Sequence, residues 1–307
     1  MYRLISGVFM GWALGSNDSA NVFGPAVYSG TVRFRTATIL VAIFVILGAW
    51  LEGRAGMNTL TSLVDQTVRS AFVVSLAAAL TVTMMSILRL PVSTSQATVG
   101  AILGAGVYVG GFDGAILIKV LIAWVSTPVG TVVVSIVLYS VLGRILDRLP
   151  INIFIRDRMI KIATVVVGAY GAYALGANNV ANVTGIYTSV GLLTVNAAAI
   201  IGGASIALGA LTFSRNVMLT VGRSLVRLDP FSAFVVVLSE AIVVHIFARV
   251  GVPVSTSQAV VGGILGIGLL KGAQTINARA LVNIGIGWLG TPAVGFALAV
   301  ALFPILA

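Results

Sequence analysis

The chain has 307 residues, of which 59% are hydrophobic and only 8% are charged, with a formal net charge of +10. A soluble domain has about 25% charged residues, so this chain lacks the charge to cover a surface that faces water. Its mean hydropathy of +1.11 predicts an all-α membrane protein with several spans, and the lack of cysteine excludes disulfide and thiol chemistry.

Ten apolar segments follow one another along the chain, five in each half. One uncharged stretch, residues 162–214, has 53 residues, whereas a membrane helix needs only about 20. The first segment contains Asn17 and Asp18 and leads into further apolar sequence, so we expect a span rather than a cleaved signal peptide. We expect the segments near residues 4–30, 36–51, 70–88, 91–112 and 115–142, and near 162–184, 191–213, 230–248, 251–270 and 280–306.

Short sequence motifs recur in the two halves, in the same order and at an offset of 161 to 164 residues. GSNDSANVFG at 15–24 matches GANNVANVTG at 176–185 at six of ten positions. PVSTSQATVGAILGAG at 91–106 matches PVSTSQAVVGGILGIG at 253–268 at 13 of 16 positions. A repeat at constant spacing indicates a duplicated unit. We therefore divide the chain into a first repeat, residues 1–143, a basic linker, 144–161, and a second repeat, 162–307.

The lysines and arginines indicate how the repeats are oriented. If all five segments of each repeat cross the membrane, the odd number inverts the second repeat, and 13 basic residues lie on one side against five on the other. We also expect some of the segments to be broken or re-entrant helices, and the inversion does not depend on the exact number of crossings. The richer side holds Arg144, Arg148, Arg156, Arg158 and Lys161 of the linker, with Arg33, Arg35, Arg89, Arg215, Arg223, Arg227, Lys271 and Arg279. We expect this side to be cytoplasmic and both termini to lie outside. Basic residues beside membrane spans contact anionic lipid, so the net charge does not indicate a nucleic-acid partner.

The motif GSNDSAN, residues 15–21, places polar side chains inside the first span. Asp18 is the only charged residue between Arg3 and Arg33, and a charge near the bilayer centre costs about 2.5–3.5 kcal/mol. We expect Gly15 to permit local unwinding, so that backbone and side-chain oxygens bind a cation such as Na⁺. The candidate Na⁺ ligands are Asp18, Asn17, Asn21 and, from the second repeat, Asn178, Asn179 and Asn182.

The motif PVSTSQA occurs at 91–97 and again at 253–259. We expect its proline in the first turn of a helix, where exposed N–H groups and the helix dipole favour an anion. Capping of a helix is the alternative for one copy, but two copies that face each other from opposite sides favour an anion site. The candidate anion ligands are Ser93, Thr94, Ser95, Gln96, Ser255, Thr256, Ser257 and Gln258, together with Asn21 and Asn182. The glycines that follow, at 100 and 104 and at 262 and 266, have GxxxG spacing and predict close helix packing.

No lysine or arginine lies in either polar motif, so a bound anion would be held by neutral donors, helix dipoles and cations bound beside it. This pattern predicts a cation-coupled anion transporter with a site near the middle of the bilayer. Glu240 is a further acid inside an apolar segment, where the first repeat has Ala78, and we expect it to line the ion path. With His245 as its single histidine, the chain has no metal-ligand set and no nucleophile–base pair. We therefore expect neither an enzyme nor a cofactor.

GSNDSAN, GANNVAN and the two PVSTSQA stretches resemble the duplicated motifs of the inorganic phosphate transporter (PiT) family, and the resemblance covers both repeats. It implies an inverted-repeat fold with helical hairpins or broken helices, cation-driven uptake of inorganic phosphate, and a homodimer. By position, Asp18, Asn21 and Asn182 match the family's ion- and phosphate-binding motif. Its phosphate-binding stretch is matched by Ser93, Thr94, Ser95, Ser255, Thr256 and Ser257.

Three departures from the family pattern bear on coupling. Asn179 stands where the second motif usually has an aspartate, which removes one carboxylate and alters the expected number or identity of coupled cations. Gln96 and Gln258 stand where the family has a histidine, which weakens a proton relay here and favours Na⁺ over H⁺. The loop between the repeats is short and has no room for a large cytoplasmic insert.

The sequence therefore predicts a Na⁺-coupled symporter of inorganic phosphate that works by alternating access as a multi-pass protein of the cell membrane. A symporter of sulfate or another tetrahedral oxyanion, coupling to H⁺ instead of Na⁺, and a passive anion channel are the alternatives. A channel would not need the buried cation site at Asp18.

Overall fold

The structure is a computed structural model that describes residues 2–88, 92–215, 217–219, 228–272 and 277–306. Its helices correspond to the ten predicted segments, with two short additional helices, α3 and α8. A π-helical segment, Ala181–Gly185, joins α7 to α8. The helices are α1 (Ile5–Tyr28), α2 (Phe34–Glu52), α3 (Arg54–Thr61), α4 (Val68–Ile87), α5 (Thr94–Val109), α6 (Gly114–Arg148), α7 (Ile153–Val180), α8 (Ile186–Ser189), α9 (Val195–Phe213), α10 (Pro230–Val250), α11 (Thr256–Lys271) and α12 (Ala278–Leu306).

Seven helical segments of the described chain are long and apolar enough to cross a membrane. Their outer faces are apolar too: on α6, Val129, Val133 and Val137 are each more than 50% exposed. A helix that is apolar on its outer face as well as its inner one belongs in lipid. The prediction of an all-α membrane protein with several spans is confirmed. The segments are residues 34–52, 68–87, 114–148, 153–189, 195–213, 230–250 and 281–306.

Two pairs of consecutive helices form hairpins whose open ends are held together. In the first hairpin, residues 68–109 (α4 and α5), a hydrogen bond joins the chain before α4 to the chain after α5. The N–H of Asp113, which follows α5, donates to the carbonyl of Leu63, which precedes α4, at 2.9 Å. In the second hairpin, residues 230–271 (α10 and α11), Lys271 at one open end pairs with Asp229 at the other. The chain thus leaves each hairpin on the side where it entered. Whether the two arms of a hairpin cross the membrane or re-enter it, each repeat has five or three crossings, and both numbers are odd.

The start of α10 shows why the second hairpin closes where it does. The side chain of Asp229 caps the helix by accepting from the Ser232 N–H at 2.9 Å, and Pro230 occupies the first turn, where its missing N–H costs nothing. Burial raises the pKa of the Asp229 carboxyl, but the hydrogen bonds from Lys271 and Ser232 more than offset this, so the pKa lies below its ordinary value. The ionised carboxylate therefore holds both the helix start and the open end of the hairpin.

The basic linker of residues 144–161 is mostly helical, which the sequence analysis did not predict. Only residues 149–152 separate α6 from α7, and the side chain of Asn152 caps α7 by accepting from the Ile155 N–H at 2.9 Å. Lys161 pairs with Asp157 one turn before it, at 2.7 Å. Capping and pairs of this kind extend helices past the apolar stretch.

Equivalent helices of the two repeats run in opposite directions. A Cβ atom built on Gly7, near the start of α1, would lie 2.6 Å from the ring of Tyr187, which follows the end of α7. One built on Gly168 in α7 would lie 2.2 Å from the ring of Phe23 in the second half of α1. The α1 and α7 helices are therefore antiparallel, as inversion of one repeat would require. Which side of the membrane each repeat faces stays a prediction.

Glycines press the helices of one repeat against backbone carbonyls of the other, and these contacts come in equivalent pairs. A Cβ atom at each glycine would lie only 1.9–2.4 Å from a carbonyl oxygen. The close packing predicted from GxxxG spacing is thereby confirmed for Gly100 and Gly262. Because α1 is continuous at Gly15, the local unwinding expected there is wrong, and this glycine serves close packing instead. The pairs are Gly15 with Ile206, Gly176 with Val45, Gly100 with Pro292 and Gly262 with Pro128.

Candidate functional site

The tips of the two hairpins meet inside the protein. The hydroxyl of Ser95 in the first turn of α5 donates to the carbonyl of Val254, in the turn of the second hairpin, at 2.8 Å. Both helices that start from the tips are capped in the same way. Ser93 accepts from the Gln96 N–H at 3.3 Å, and Ser255 accepts from the Gln258 N–H at 3.2 Å. The first-turn N–H groups that lack an intrahelical acceptor therefore converge from two helices on one region.

Asp18 links α1 to the tip of the first hairpin, and its neighbour Asn21 reaches the second. The carboxylate lies near the middle of α1 and is 1% exposed. It accepts a hydrogen bond from the hydroxyl of Thr94 at 2.6 Å and one from the amide of Asn21 at 3.5 Å. The same amide donates to the hydroxyl of Thr256 at 3.2 Å. The first polar motif thus contacts both copies of the second, as expected for a site shared by the two repeats.

The equivalent motif on α7 makes a neutral version of these contacts. The amide of Asn182 donates to Asn179 at 2.9 Å and to Ser95 at 3.0 Å. The side chain of Asn178 exchanges two hydrogen bonds with the backbone of Val254, at 2.9 and 3.2 Å. The site therefore has similar polar groups from both repeats but carries the charge of Asp18 on one side, where the other has Asn179.

The α7 copy of the motif also differs in backbone geometry. Asn182 lies in the π-helical segment Ala181–Gly185, whereas the equivalent residue in α1, Asn21, lies in regular α-helix. A π-helical turn inserts an additional residue into the helix, re-aims its side chains and is common at functional sites. No feature of the sequence predicted this segment.

Every predicted site residue is buried, none more than 5% exposed, but not all of them join the network. Asn17 turns to the first hairpin, where its amide donates to the Ser86 hydroxyl at 2.9 Å. The hydroxyl of Ser257 lies 2.9 Å from that of Ser255 rather than contacting α1. Pro253 precedes the start of α11 at Thr256, so the expected proline in the first helical turn is wrong for this copy. The equivalent Pro91 lies outside the described residues, as do Arg89, Arg223 and Arg227 of the charge count.

Several buried polar atoms around the tips have no hydrogen-bond partner in the described part of the chain. Three are amide oxygens that can accept a hydrogen bond or bind a cation, on Gln96, Gln258 and Asn182. One is the amide nitrogen of Asn179, which can donate to an anion. Unpartnered buried polar groups are costly, so their concentration at one place is typical of a site that a ligand completes.

A second polar cluster, which sequence reasoning did not assemble, joins α2, α7 and α10. The two ring nitrogens of His245 lie 2.8 Å from the Glu52 carboxylate and 2.7 Å from the Tyr170 hydroxyl, and Arg249 donates to Glu52 at 3.0 Å. The only histidine is thus fully partnered away from the hairpin tips. Its role is to tie the far end of α10 to the first repeat.

Two hairpins whose helix starts meet at a buried polar site define a transport protein of the membrane. The sequence profile of the phosphate transporter family matches residues 14–299, and the chain belongs to this family. The resemblance inferred from the motifs is thereby confirmed, and a family of transporters agrees with the expectation that the chain is not an enzyme.

Individual relatives cover nearly the whole chain. MJ0630 of Methanocaldococcus jannaschii, whose name assigns it provisionally to the phosphate permeases, is 30% identical over 94% of this chain and 92% of its own length. The sulfate permease CysP of Bacillus subtilis is 29% identical over 94% of this chain and 83% of its own. A solved structure, "The sodium-dependent phosphate transporter", is similar in fold with a TM-score of 0.89 at 23% identity, over 100% of this chain and 99% of the other.

Proposed function

We propose that this protein is a Na⁺-coupled symporter of inorganic phosphate that works by alternating access. The observation that carries the proposal is the Thr94–Asp18 hydrogen bond of 2.6 Å, which brings a buried carboxylate to the start of a hairpin helix. Membership of the phosphate transporter family supports the substrate. The solved protein of similar fold is named as sodium-dependent, which supports the coupling ion.

The cation would bind at Asp18. A buried carboxylate without a basic partner requires a bound cation or a proton, and no ion pair to Asp18 occurs among the described residues. The hydroxyl of Thr94 and the amide group of Asn21 contact it, and the oxygens of these two side chains can supply further ligands. The neutral group of Asn178, Asn179 and Asn182 offers amide oxygens to a second cation or to the same one. Asn17 contributes only if it leaves Ser86.

Phosphate would bind between the starts of α5 and α11. There the first-turn N–H groups and the two helix dipoles favour an anion without any lysine or arginine. The free amide of Asn179 and the hydroxyls of the two STSQ stretches would donate to its oxygens, once Thr94 releases Asp18 and Ser95 releases Val254. The Na⁺ ions would offset its charge, and this gives a physical reason for coupling: neither ion is stable at the site without the other. The ligands in this proposal are Ser93, Thr94, Ser95, Gln96, Ser255, Thr256, Ser257 and Gln258, with Asn21 and Asn182.

Alternating access would come from the two hairpins. Their tips are joined by the Ser95–Val254 hydrogen bond, and each hairpin is closed on its own side by a contact at its open end. Opening one hairpin at a time would expose the site to one side only. We place residues 149–152 in the cytoplasm and both termini outside, in the cell membrane. The exposed apolar faces of α6 and α12 would contact lipid or a second copy in a homodimer.

Sulfate transport is the second candidate, and the 29% identity to a sulfate permease supports it. Sulfate has the same tetrahedral shape, and at neutral pH it lacks the acidic proton that phosphate can donate. The three unpartnered amide oxygens around the tips favour phosphate, because an acceptor can hold a P–OH group but repels a bare oxyanion.

The experiment is uptake of labelled phosphate into proteoliposomes that contain the purified protein. We expect accumulation with an inward Na⁺ gradient and equilibration without it. Accumulation that follows a pH gradient instead would assign H⁺ as the coupling ion. Equilibration under every gradient would show a passive channel. Equal competition by sulfate would reject the preference for phosphate.

A further inference from the structure

Glu240 is a second buried acid that the phosphate and Na⁺ ligands described above do not use. It lies in the middle of α10, is 2% exposed, and its Oε2 atom has no hydrogen-bond partner in the described part of the chain. The first repeat has Ala78 at the equivalent position, so duplication of the fold does not account for the acid. A buried carboxylate with a free oxygen requires either a bound cation or a proton.

The neighbours of Glu240 on α10 indicate the direction in which it points. Val237, one turn before it, packs against α7 at Gly171, whereas Ser239 packs against α11 at Gly263. Glu240 lies between these two faces of the helix and is therefore directed into the wedge between α7 and α11. The α1 helix lies in the same wedge, since it contacts α7, α10 and α11.

Asp18 lies on α1, the helix that occupies this wedge, and its carboxylate and that of Glu240 repel each other. In a medium of low dielectric constant, repulsion between two buried acids disfavours the state in which both are negative, unless a positive charge lies near each. A single cation at Asp18 therefore leaves the pair with one uncompensated charge.

No other charged group compensates Glu240 in the part of the chain that the structure describes. His245, Arg249 and Tyr173 are engaged with Glu52, Tyr170 is engaged with His245, and Lys271 is engaged with Asp229. The remaining charged groups on helices that pack against α10 lie toward the helix ends. These are Arg54 on α3, Lys119, Arg144, Asp147 and Arg148 on α6, and Arg156, Asp157, Arg158 and Lys161 on α7.

We propose that Glu240 accepts a second monovalent cation in each transport cycle, in addition to the cation at Asp18. The carboxylate of Glu240 on α10 would supply the negative charge that α7 lacks, because α7 has Asn179 where α1 has Asp18. One turn further along α10, Val244 packs with Ala174 and Ala259 in an apolar cluster. A proton is the cation that needs no further oxygen ligands, so both H⁺ and Na⁺ are candidates for this cation. This inference rests on the proposed symport and determines how many cations drive it.

The test is Glu240→Gln in the full-length protein, because glutamine keeps the shape and removes the charge. The measurement is the final accumulation ratio of labelled phosphate at zero membrane potential, with a tenfold gradient of either Na⁺ or H⁺ imposed in turn. Each coupled cation with that gradient contributes about a tenfold factor to the ratio. The variant should lose one factor of about ten under the gradient of the cation that Glu240 binds, and keep the wild-type ratio under the other.

Loss under the pH gradient would identify the cation as H⁺, and loss under the Na⁺ gradient as Na⁺. Wild-type ratios under both gradients would overturn the proposal. Ser239→Ala is the matched control, since its hydroxyl only donates to Val236 on the same helix, and it should match the wild type. If the wild type itself shows no gradient-driven accumulation, the proposed symport fails, which separates that outcome from failure of the role of Glu240.

A Glu240→Gln protein that folds but shows no net uptake calls for a second measurement. Exchange of internal for external phosphate at equal cation concentrations does not require the second cation to be released. We expect this exchange to persist at a rate within about threefold of the wild type, and Glu240→Asp to restore net uptake. Loss of exchange, or no rescue by aspartate, would overturn the proposal.

Discussion

Asp18 shows how one residue can determine the chemistry of the site. It is buried in the middle of α1 and accepts a hydrogen bond from Thr94, while the equivalent residue of the second repeat, Asn179, accepts from Asn182 and Ser95. Both residues therefore find donors of similar kind, but only Asp18 brings a charge. A ligand of the ionised carboxylate would have to be positive, so the proposed site is similar in shape on its two sides and asymmetric in electrostatics.

Replacement of Asp18 by asparagine should abolish transport and leave the protein folded. Asparagine retains the oxygen that accepts from Thr94, but it removes the charge that holds the cation. The measurements are Na⁺-driven phosphate uptake and thermal unfolding in detergent. Asp65→Asn, which changes an exposed carboxylate, is the matched control and should transport normally. Wild-type uptake by the Asp18 variant would contradict the cation site.

Thr94→Ala should weaken phosphate binding more than Thr127→Ala does. The hydroxyl of Thr94 lies at the start of α5 and is a ligand in the proposed anion site, and a hydrogen bond to a charged group contributes about 1.5–3 kcal/mol, so loss of one to phosphate should lower the affinity roughly ten- to a hundredfold. Thr127 is equally buried, but its hydroxyl only donates to Ala123 one turn earlier on α6. Equilibrium binding of labelled phosphate measures both variants. The opposite order would contradict an anion site at the start of α5.

At the scale of the helices, glycine determines how closely the hairpins approach the spans of the other repeat. Gly100 on α5 lies against the carbonyl of Pro292 on α12, and Gly262 on α11 lies against that of Pro128 on α6. The two Thr-Pro pairs, at 127–128 in the first repeat and 291–292 in the second, thus lie beside the glycines of the opposite repeat's hairpin. Close packing of this kind replaces the hydrophobic effect, which does not drive association within lipid.

Gly100→Ala and Gly262→Ala should each destabilise the protein. The added Cβ would lie 2.2 Å and 2.4 Å from a carbonyl oxygen, so the helices must separate, at a cost of about 1–3 kcal/mol. Gly130→Ala on α6 is the control, because a Cβ there meets no atom within 4 Å, and alanine favours the helix. Thermal unfolding in detergent compares the three. Equal stability of all three variants would count against tight hairpin packing.

At the scale of the whole molecule, the glycine contacts between the repeats occur in pairs, and the two contacts of a pair differ only in which repeat supplies the glycine. Glycine–carbonyl contacts join α1 to α9 and, equivalently, α7 to α2, and they join each hairpin to the last span of the other repeat. The antiparallel arrangement of α1 and α7 follows the same pattern. A two-fold relation between inverted repeats would produce all of these contacts and would bring both hairpin tips to a common centre.

The predicted topology can be tested because the natural chain has no cysteine. Ile153→Cys at the start of α7 and Ile305→Cys near the end of α12 each replace an exposed side chain, 74% and 76% exposed. In intact cells, a thiol reagent that does not cross membranes should label the variant at 305 and not the one at 153. Permeabilised cells should show labelling of both, and the cysteine-free parent of neither. Labelling of both in intact cells would contradict inversion.

The sequence predicted all ten long helices, and every candidate site residue lies buried within or beside the hairpins. Helix bounds shifted most in the linker, where capping by Asn152 and charge pairs extended α7 beyond the apolar pattern. Hydropathy alone could not show that two pairs of segments form hairpins whose tips meet inside the protein, because a hairpin arm such as Val68–Ile87 is as apolar as a span. Only the structure shows the contacts that close their open ends, at Asp113 and Asp229, and the Ser95–Val254 hydrogen bond that joins their tips.

By itself the sequence determined the membrane class, the duplication, the family motifs and the identity of the buried acid, since all of these depend on composition and spacing along the chain. Only the tertiary structure decided which polar groups meet. It brought Asp18 to Thr94, Ser95 to Val254, and Glu240 into the wedge beside α1. The physical reason is that these contacts join residues far apart in sequence, and glycine-to-carbonyl packing between the repeats determines how closely they approach.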